Sequence, residues 1–201
     1  MTQSFIQAIN GLHVASAPLH AYTSQNRFRD YTNSTVPLFS LSPTPTDLAS
    51  ASKTINEQAC TELGFADEEL RESGYVVGVA PTPPTTETAI KLVDYYHRTF
   101  DKQGGGAIDG GPSWYPLAFV GVGSQGWRRE GVVVCFFDAR FGQPVGEEVC
   151  VRACLVRGGV VGRMLVELRM GDVEWEEIVR GCAVGEGEGE GEGEGESGGG
   201  R

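Results

Sequence analysis

Apolar residues recur every three or four positions in two segments of the chain, and this spacing predicts two amphipathic helices. The first begins at a cap formed by Thr46 or Asp47 and ends at Gly64, with apolar positions at Leu48, Ala51, Ile55, Ala59 and Leu63. The second is predicted over about 86–100, with one face formed by Ala89, Ile90, Val93, Tyr96 and Phe100.

The remaining apolar segments are short or alternate with polar residues, which indicates strands. Alternation is clearest over Glu148–Val156, and further strands are predicted at Val36–Leu41, Tyr75–Ala80, Pro116–Val122, Gly131–Phe137 and Met164–Met170. A short helix is predicted near the C-terminus, capped by Asp172 and ended by Gly181, with Trp175 as its largest apolar side chain.

These elements predict one α+β domain over residues 45–182. We expect a mostly antiparallel sheet with the two main helices packed on one face and the short helix at the C-terminal end. Residues 1–44 are predicted to be a partly ordered N-terminal extension. Residues 183–201 are predicted to be a disordered tail, because their Gly-Glu repeats have no large apolar side chains to bury and their charges repel one another.

The segment Gly121–Gly126 spells G-x-G-x-x-G between two predicted strands. In a dinucleotide-binding unit these glycines lead directly into a helix that points its N–H groups at a pyrophosphate. Here only four residues separate Gly126 from Gly131, where the next strand begins. A protein-kinase loop would need a downstream lysine, and all three lysines lie upstream. The pattern therefore favours a glycine-rich turn joining two antiparallel strands.

Ser124 within this segment is a candidate nucleophile, because its surroundings resemble a G-x-S-x-G elbow in which Val122 replaces the first glycine. A serine needs a base, and in α/β-hydrolases the histidine follows the serine. His13, His20 and His97 all precede Ser124. A small hydrolase therefore remains an alternative function.

Arg157–Gly162 is similar to the pyrophosphate-binding loop of acetyltransferases, although Val160 stands where that pattern has glycine. The residues that follow, Arg163–Leu168, alternate like a strand, whereas the acetyltransferase loop begins a helix. Three glycines permit a turn as readily as an anion site. An acyltransferase using the turn Gly158–Gly162 is the second enzymatic alternative.

His97 has Asp94 and Asp101 beside it at helical spacing, and this is the best local cluster for metal or acid–base chemistry. Asp109 follows in a glycine-rich loop. A fourth ligand cannot be placed, and charged residues also mark the ordinary boundary between a helix's buried and solvated faces. We therefore predict no catalytic residues, no metal site and no cofactor.

The chain carries a formal net charge of −11, to which the tail contributes strongly. Removing residues 185–201 removes six acids and one base, which leaves a body of charge −6. An acidic body argues against nucleic-acid binding, which depends on clustered Lys and Arg. The five cysteines form no C-x-x-C pair, and no secretion signal or membrane-spanning stretch is recognisable. We expect a cytoplasmic, intracellular protein without membrane or nucleic-acid partners.

The segment Leu165–Glu177, preceded by Phe119–Val122, Val132–Cys135 and Val151–Ala153, resembles an uncharacterised family of small proteins of filamentous fungi. The similarity covers about residues 115–181. The resemblance implies an α+β fold. That family has no assigned activity, so the resemblance transfers no catalytic residue.

No complete catalytic set is recognisable in the sequence, and we predict a non-enzymatic intracellular interaction domain with an unidentified protein partner. The enzymatic alternatives are the hydrolase using Ser124 and the acyltransferase using Gly158–Gly162. A third hypothesis assigns binding of basic partners to the acidic tail, for which a repeat expansion without a role is the simpler explanation.

Overall fold

The structure, a computed structural model, describes residues 2–15, 34–42, 46–64, 76–80, 89–101, 114–115, 117–138, 147–170 and 175–184. Within these residues the chain forms six strands, namely β1 Leu12–Ala15, β2 Val36–Ser40, β3 Val77–Val79, β4 Ala118–Val122, β5 Val132–Asp138 and β6 Glu148–Val156. The same residues form six helices, namely α1 Thr2–Ile9, α2 Leu48–Leu63, α3 Ala89–Asp101, α4 Trp127–Glu130, α5 Val161–Met170 and α6 Trp175–Cys182.

The six strands make one mixed sheet in the order β1-β6-β5-β4-β2-β3. The pairs β1–β6, β6–β5 and β5–β4 are antiparallel, whereas β4–β2 and β2–β3 are parallel. The predicted α+β class is thus confirmed, and the predicted antiparallel character is confirmed for one side of the sheet. The other side is parallel because α2 and α3 each return the chain to the end of the sheet from which the preceding strand began.

Helices cover both faces of the sheet. Phe137 of β5 stacks on Tyr96 of α3 at a ring-centroid distance of 5.2 Å, and its neighbour Phe136 stacks on Trp175 of α6, also at 5.2 Å. Consecutive strand residues point to opposite faces, so α3 and α6 lie on opposite sides. α2 packs on α5, and α5 packs on α6.

The expectation that the two main helices share one face is therefore corrected. The chain moves outward from β2 to β3 through α2, and it then crosses back over β2 to β4 through α3. Crossover connections between parallel strands are right-handed, so two crossovers in opposite directions place their helices on opposite faces.

α2 forms as its sequence predicts. The Asp47 side chain accepts a hydrogen bond from the Ser50 N–H at 2.9 Å, and Gly64 ends the helix with a φ of 67°. Glycine is favoured there because a side chain would strain the left-handed backbone. Its predicted apolar positions Ala51, Ile55 and Ala59 are fully buried.

α5 occupies the segment Met164–Met170 that was predicted to be a strand, and this prediction is wrong. The alternating residues also fit a helical stripe, because the fully buried Val161, Met164 and Leu165 lie at helical spacing. The helix packs against both α2 and α6, so positions on more than one face are apolar. α6 continues through Gly181 to Cys182, and the predicted cap Asp172 lies outside the described residues.

The N-terminal part of the chain belongs to the same sheet. α1 buries Ile6 and Ile9, β1 pairs with β6, and β2 lies between two parallel neighbours. The sheet therefore extends across the predicted domain boundary at residue 45. The Gly-Glu tail, from residue 185 onward, lies outside the described residues.

Candidate functional site

The glycine-rich segment Gly121–Gly126 leads from β4 into the one-turn helix α4, after which β5 returns antiparallel to β4. The Ser124 hydroxyl accepts the Gly126 N–H at 3.1 Å and donates to the Glu130 carboxylate at 2.7 Å. Gly126 has an ordinary φ of −81°, whereas Gly131, which starts the return, has a φ of 89°. The predicted turn between antiparallel strands is confirmed, and its positive φ belongs to Gly131.

α4 is held in place by Trp127, which is 4% exposed. With Trp127 directed inward, the next residues Arg128 and Arg129 lie on the surface. The Arg128 guanidinium lies 5.7 Å from the centroid of the Trp127 ring, and its Nη2 donates to the Thr54 hydroxyl of α2 at 2.8 Å. α4 thus presents two adjacent arginines, one of them positioned by α2.

A second chain segment meets α4 at Gly158. A Cβ on Gly158 would lie 2.7 Å from both the Cα and the carbonyl oxygen of Arg128, so only glycine permits this approach. The contact brings the exposed Arg157 beside α4. Lys53 is exposed as well and neighbours Thr54, the hydrogen-bond partner of Arg128. We call Lys53, Arg128, Arg129 and Arg157 the arginine surface.

The arginine surface carries positive charge in a strongly acidic protein. Of the carboxylates nearby, Glu130 accepts from Ser124, and Glu57 lies 3.8 Å from the Lys53 ammonium. Neither Arg128 nor Arg129 has a carboxylate within salt-bridge distance among the described residues. A guanidinium presents a planar fork of donors that binds carboxylate or phosphate oxygens, so this surface can bind an anionic group.

Ser124, the predicted candidate nucleophile, has a carboxylate as its hydrogen-bond partner. A glutamate is a weak base near neutral pH compared with imidazole, so it does not activate a serine hydroxyl as histidine does. His13 lies on β1, which is three strands from β4 and thus about 14 Å away at the usual strand spacing. Its imidazole lies 3.8 Å from Glu148. Within the described residues Ser124 closes the turn.

The second candidate cluster is only partly described. Asp94 is exposed on α3, and His97 and Asp101 belong to the same helix, but their side chains lie outside the described part. His20 and Asp109 also fall outside it. Among the described residues, no group of three or more His, Cys, Asp or Glu side chains is placed to hold a metal ion.

The turn Gly158–Gly162 does precede a helix, α5, as an acetyltransferase loop would. Two backbone groups of this turn, however, are hydrogen-bonded to a side chain of α2. The Gly162 N–H donates to the Gln58 side-chain oxygen at 3.1 Å, and the Gln58 amide donates to the Gly158 carbonyl at 2.8 Å. A Cβ on Gly162 would lie 2.5 Å from the Ile55 carbonyl oxygen. These glycines permit close packing of α5 on α2, and Gln58 already accepts from the Gly162 N–H, one of the donors that a pyrophosphate would need.

All five cysteines are free thiols. Burial raises the pKa of Cys154 to about 12, and it raises the pKa values of Cys135 and Cys182 as well. Thiols with raised pKa values contain little of the nucleophilic thiolate at neutral pH. Cys135, Cys154 and Cys182 are therefore poor candidates for nucleophilic catalysis.

Comparison with known proteins assigns neither a family nor a function to the chain. No protein-family model, no curated protein and no solved structure matches the chain. In the described segments no helix combines the length and the apolar character needed to cross a membrane.

The sequence pattern marks Trp127–Glu130 as a segment too short for a phosphate-binding helix, and it predicts no role for the two arginines of this segment. The available signal was the adjacent pair Arg128 and Arg129, placed directly after a turn in a chain that has only 16 basic residues. What the sequence could not reveal is that Gly158 and Thr54 contact Arg128, because these two residues come from distant segments.

Proposed function

We propose that this chain is a non-enzymatic intracellular interaction domain that binds an acidic segment of a partner protein through the arginine surface. The observation that carries the proposal is the exposure of Arg128 and Arg129 without carboxylate partners in the described part of a protein whose net charge is −11. In such a protein the average field repels acidic partners, so a local positive surface determines where one can bind.

The contacts around α4 support the binding of an acidic segment. Trp127 anchors α4 and Thr54 fixes Arg128, so this guanidinium is positioned before any partner arrives. Preorganised groups lose less conformational entropy on binding. A short acidic segment suits the surface better than a nucleic acid, because four cations can pair with a few carboxylates, whereas nucleic-acid binding neutralises many phosphates.

The hydrolase and acyltransferase alternatives rest on Ser124 and Gly158–Gly162. The Ser124 hydroxyl is hydrogen-bonded to Glu130, and the Gly158 carbonyl and the Gly162 N–H are hydrogen-bonded to Gln58. A serine-directed fluorophosphonate probe tests the hydrolase directly. We expect no labelling of the wild type beyond that of Ser124→Ala, and labelling that is lost in this variant would support the hydrolase instead.

The binding proposal is tested with a fluorescent peptide of alternating Glu and Gly residues, followed by anisotropy on the full chain. We expect binding that weakens as salt is added, because exposed ion pairs are screened. Arg129→Glu should weaken the affinity at least about tenfold, the equivalent of about 1.4 kcal/mol. Arg129 is suited to this change because it is exposed and only its backbone makes a described hydrogen bond.

Lys91→Glu is the matched control, since it makes the same change of charge at an exposed position of α3, on the other face of the sheet from α2. Equal weakening by both substitutions would show a general effect of net charge and would refute the arginine surface. Removing residues 185–201 separates this proposal from the acidic-tail hypothesis, because tail removal should leave peptide binding intact or strengthen it.

A further inference from the structure

A different feature of the molecule concerns Tyr115, which connects the two helical layers. Tyr115 is 4% exposed, and its carbonyl accepts the Tyr96 hydroxyl of α3. Its own hydroxyl donates to the Leu168 carbonyl of α5 at 3.2 Å. These hydrogen bonds fix Tyr115 at its backbone and at its hydroxyl, so its side chain is held beside the last turn of α5.

Arg169 follows Leu168 in that last turn and is half-buried. Its Nε is shielded from solvent and has no hydrogen-bond partner. No carboxylate in the described part of the chain pairs with Arg169. Burial lowers the pKa of the Arg169 guanidinium to about 10, and the nearby Tyr115 acts in the opposite direction.

Arg152 shows what a compensated arginine looks like in this fold. Its Nε also lacks a hydrogen-bond partner, but its Nη2 lies 3.1 Å from Asp138 and its Nη1 lies 2.5 Å from Glu176. A buried charge is costly unless it is paired, and the partial negative charge of a helix C-terminus offsets only a small part of that cost. The Arg169 guanidinium can therefore pair with an anion that a ligand supplies.

We propose that Arg169 and the adjacent side chain of Tyr115 form a binding site for a carboxylate or phosphate group of a ligand. The two Nη groups of the guanidinium form a fork of N–H donors that binds two oxygens of such a group. The half-exposed side chain keeps a route open to solvent. The site is distinct from the arginine surface, because Arg169 lies at the far end of α5 from Gly158, about 15 Å along the helix.

The test is thermal unfolding of the full chain in sodium phosphate, sodium acetate and sodium chloride at equal ionic strength. A ligand that binds only the folded state raises Tm, and we expect a rise of at least ~2 °C with phosphate or acetate relative to chloride. A response to phosphate alone would assign the site to phosphate groups, and a response to acetate alone would assign it to carboxylates.

Arg169→Met should remove most of the response, and Arg180→Met, which replaces an exposed arginine of α6, should leave it intact. The proposal is overturned if no anion raises Tm relative to chloride, or if Arg169→Met retains the response. If the variant does not fold, the Arg169 Nε–H resonance of the wild type decides: it should shift on addition of phosphate or acetate, and an unchanged resonance would refute the site.

Discussion

The carboxamide of Asn56 pairs with both backbone groups of Val77 that face the open edge of the sheet. Its oxygen accepts the Val77 N–H at 3.0 Å, and its nitrogen donates to the Val77 carbonyl at 2.8 Å. At the other side of the sheet Asn10 does the same with Ala153, which lies beyond the end of β1. Asn56 thus replaces a further strand beside β3, and Asn10 covers β6 beyond the end of β1, which limits pairing with other chains at these positions.

Asn56→Ala should destabilise the fold by about 2–3 kcal/mol, because Asn56 is 5% exposed and its loss leaves the buried Val77 N–H without a partner. Urea unfolding followed by circular dichroism measures this change. Asn10→Ala is the matched control and should cost only about 1 kcal/mol, because Asn10 is exposed and water can replace it. Equal costs would contradict the role assigned to burial at Asn56.

The close packing of α5 on α2 predicts opposite effects for two neighbouring glycines. Gly162→Ala should destabilise by about 1–3 kcal/mol or more, because the new Cβ meets the backbone at Ile55 and Ala59. Gly159→Ala meets nothing within 4 Å and should be neutral or stabilising by up to about 1 kcal/mol. The free energies of unfolding in urea test the pair, and a tolerated Gly162→Ala would argue against this helix packing.

Much of the fold could be predicted because local signals agree with tertiary packing. α2 has a cap, a stop and a helical stripe, and β6 has clear alternation with turns beyond it. The segment of α5 fits both helical and strand periodicity, so its sequence cannot decide between them. Gly158 and Gly162 favour the helix, because they let this segment approach α4 and α2 closely.

The sites were less predictable than the fold, because they depend on which distant residues meet. Ser124 was recognised as a candidate, but its partner Glu130 makes it part of the turn. Arg169 was missed entirely, since in the sequence it is an ordinary basic residue near a helix end. Its significance arises from burial beside Tyr115, which lies more than fifty positions away.

The raised pKa values of the buried thiols predict that the fold loses stability at alkaline pH. Burial raises the pKa of Cys154 to about 12 and also raises that of Cys135, so their folded-state values exceed the unfolded value of 9.0. The stability from these protonated thiols is complete below about pH 9 and is lost as pH rises through the folded-state pKa values. Urea unfolding of Cys154→Ser and the wild type should show a smaller alkaline loss in the variant, and an equal loss would contradict the assignment.

Arg169→Met should stabilise the protein by about 1–3 kcal/mol at neutral pH, because it removes a half-buried charge that has no carboxylate partner among the described residues and keeps the side-chain volume. The sign follows from the pKa, which burial lowers from its unfolded-state value to about 10. The charged form is disfavoured in the fold, so the cost is fully present below about pH 10 and disappears as pH rises towards the unfolded-state pKa. Thermal unfolding at neutral pH measures the effect, and a clear loss of stability would indicate that Arg169 has a structural partner.

The arginine surface is tested most directly by mapping the acidic Glu-Gly peptide onto the full chain through backbone amide chemical shifts. We expect the largest changes at Arg128, Arg129 and Gly158, with the changes disappearing at high salt and in Arg129→Glu but not in Lys91→Glu. Changes centred on another surface, or no changes at low salt, would contradict the proposal that this domain binds acidic partners through α4.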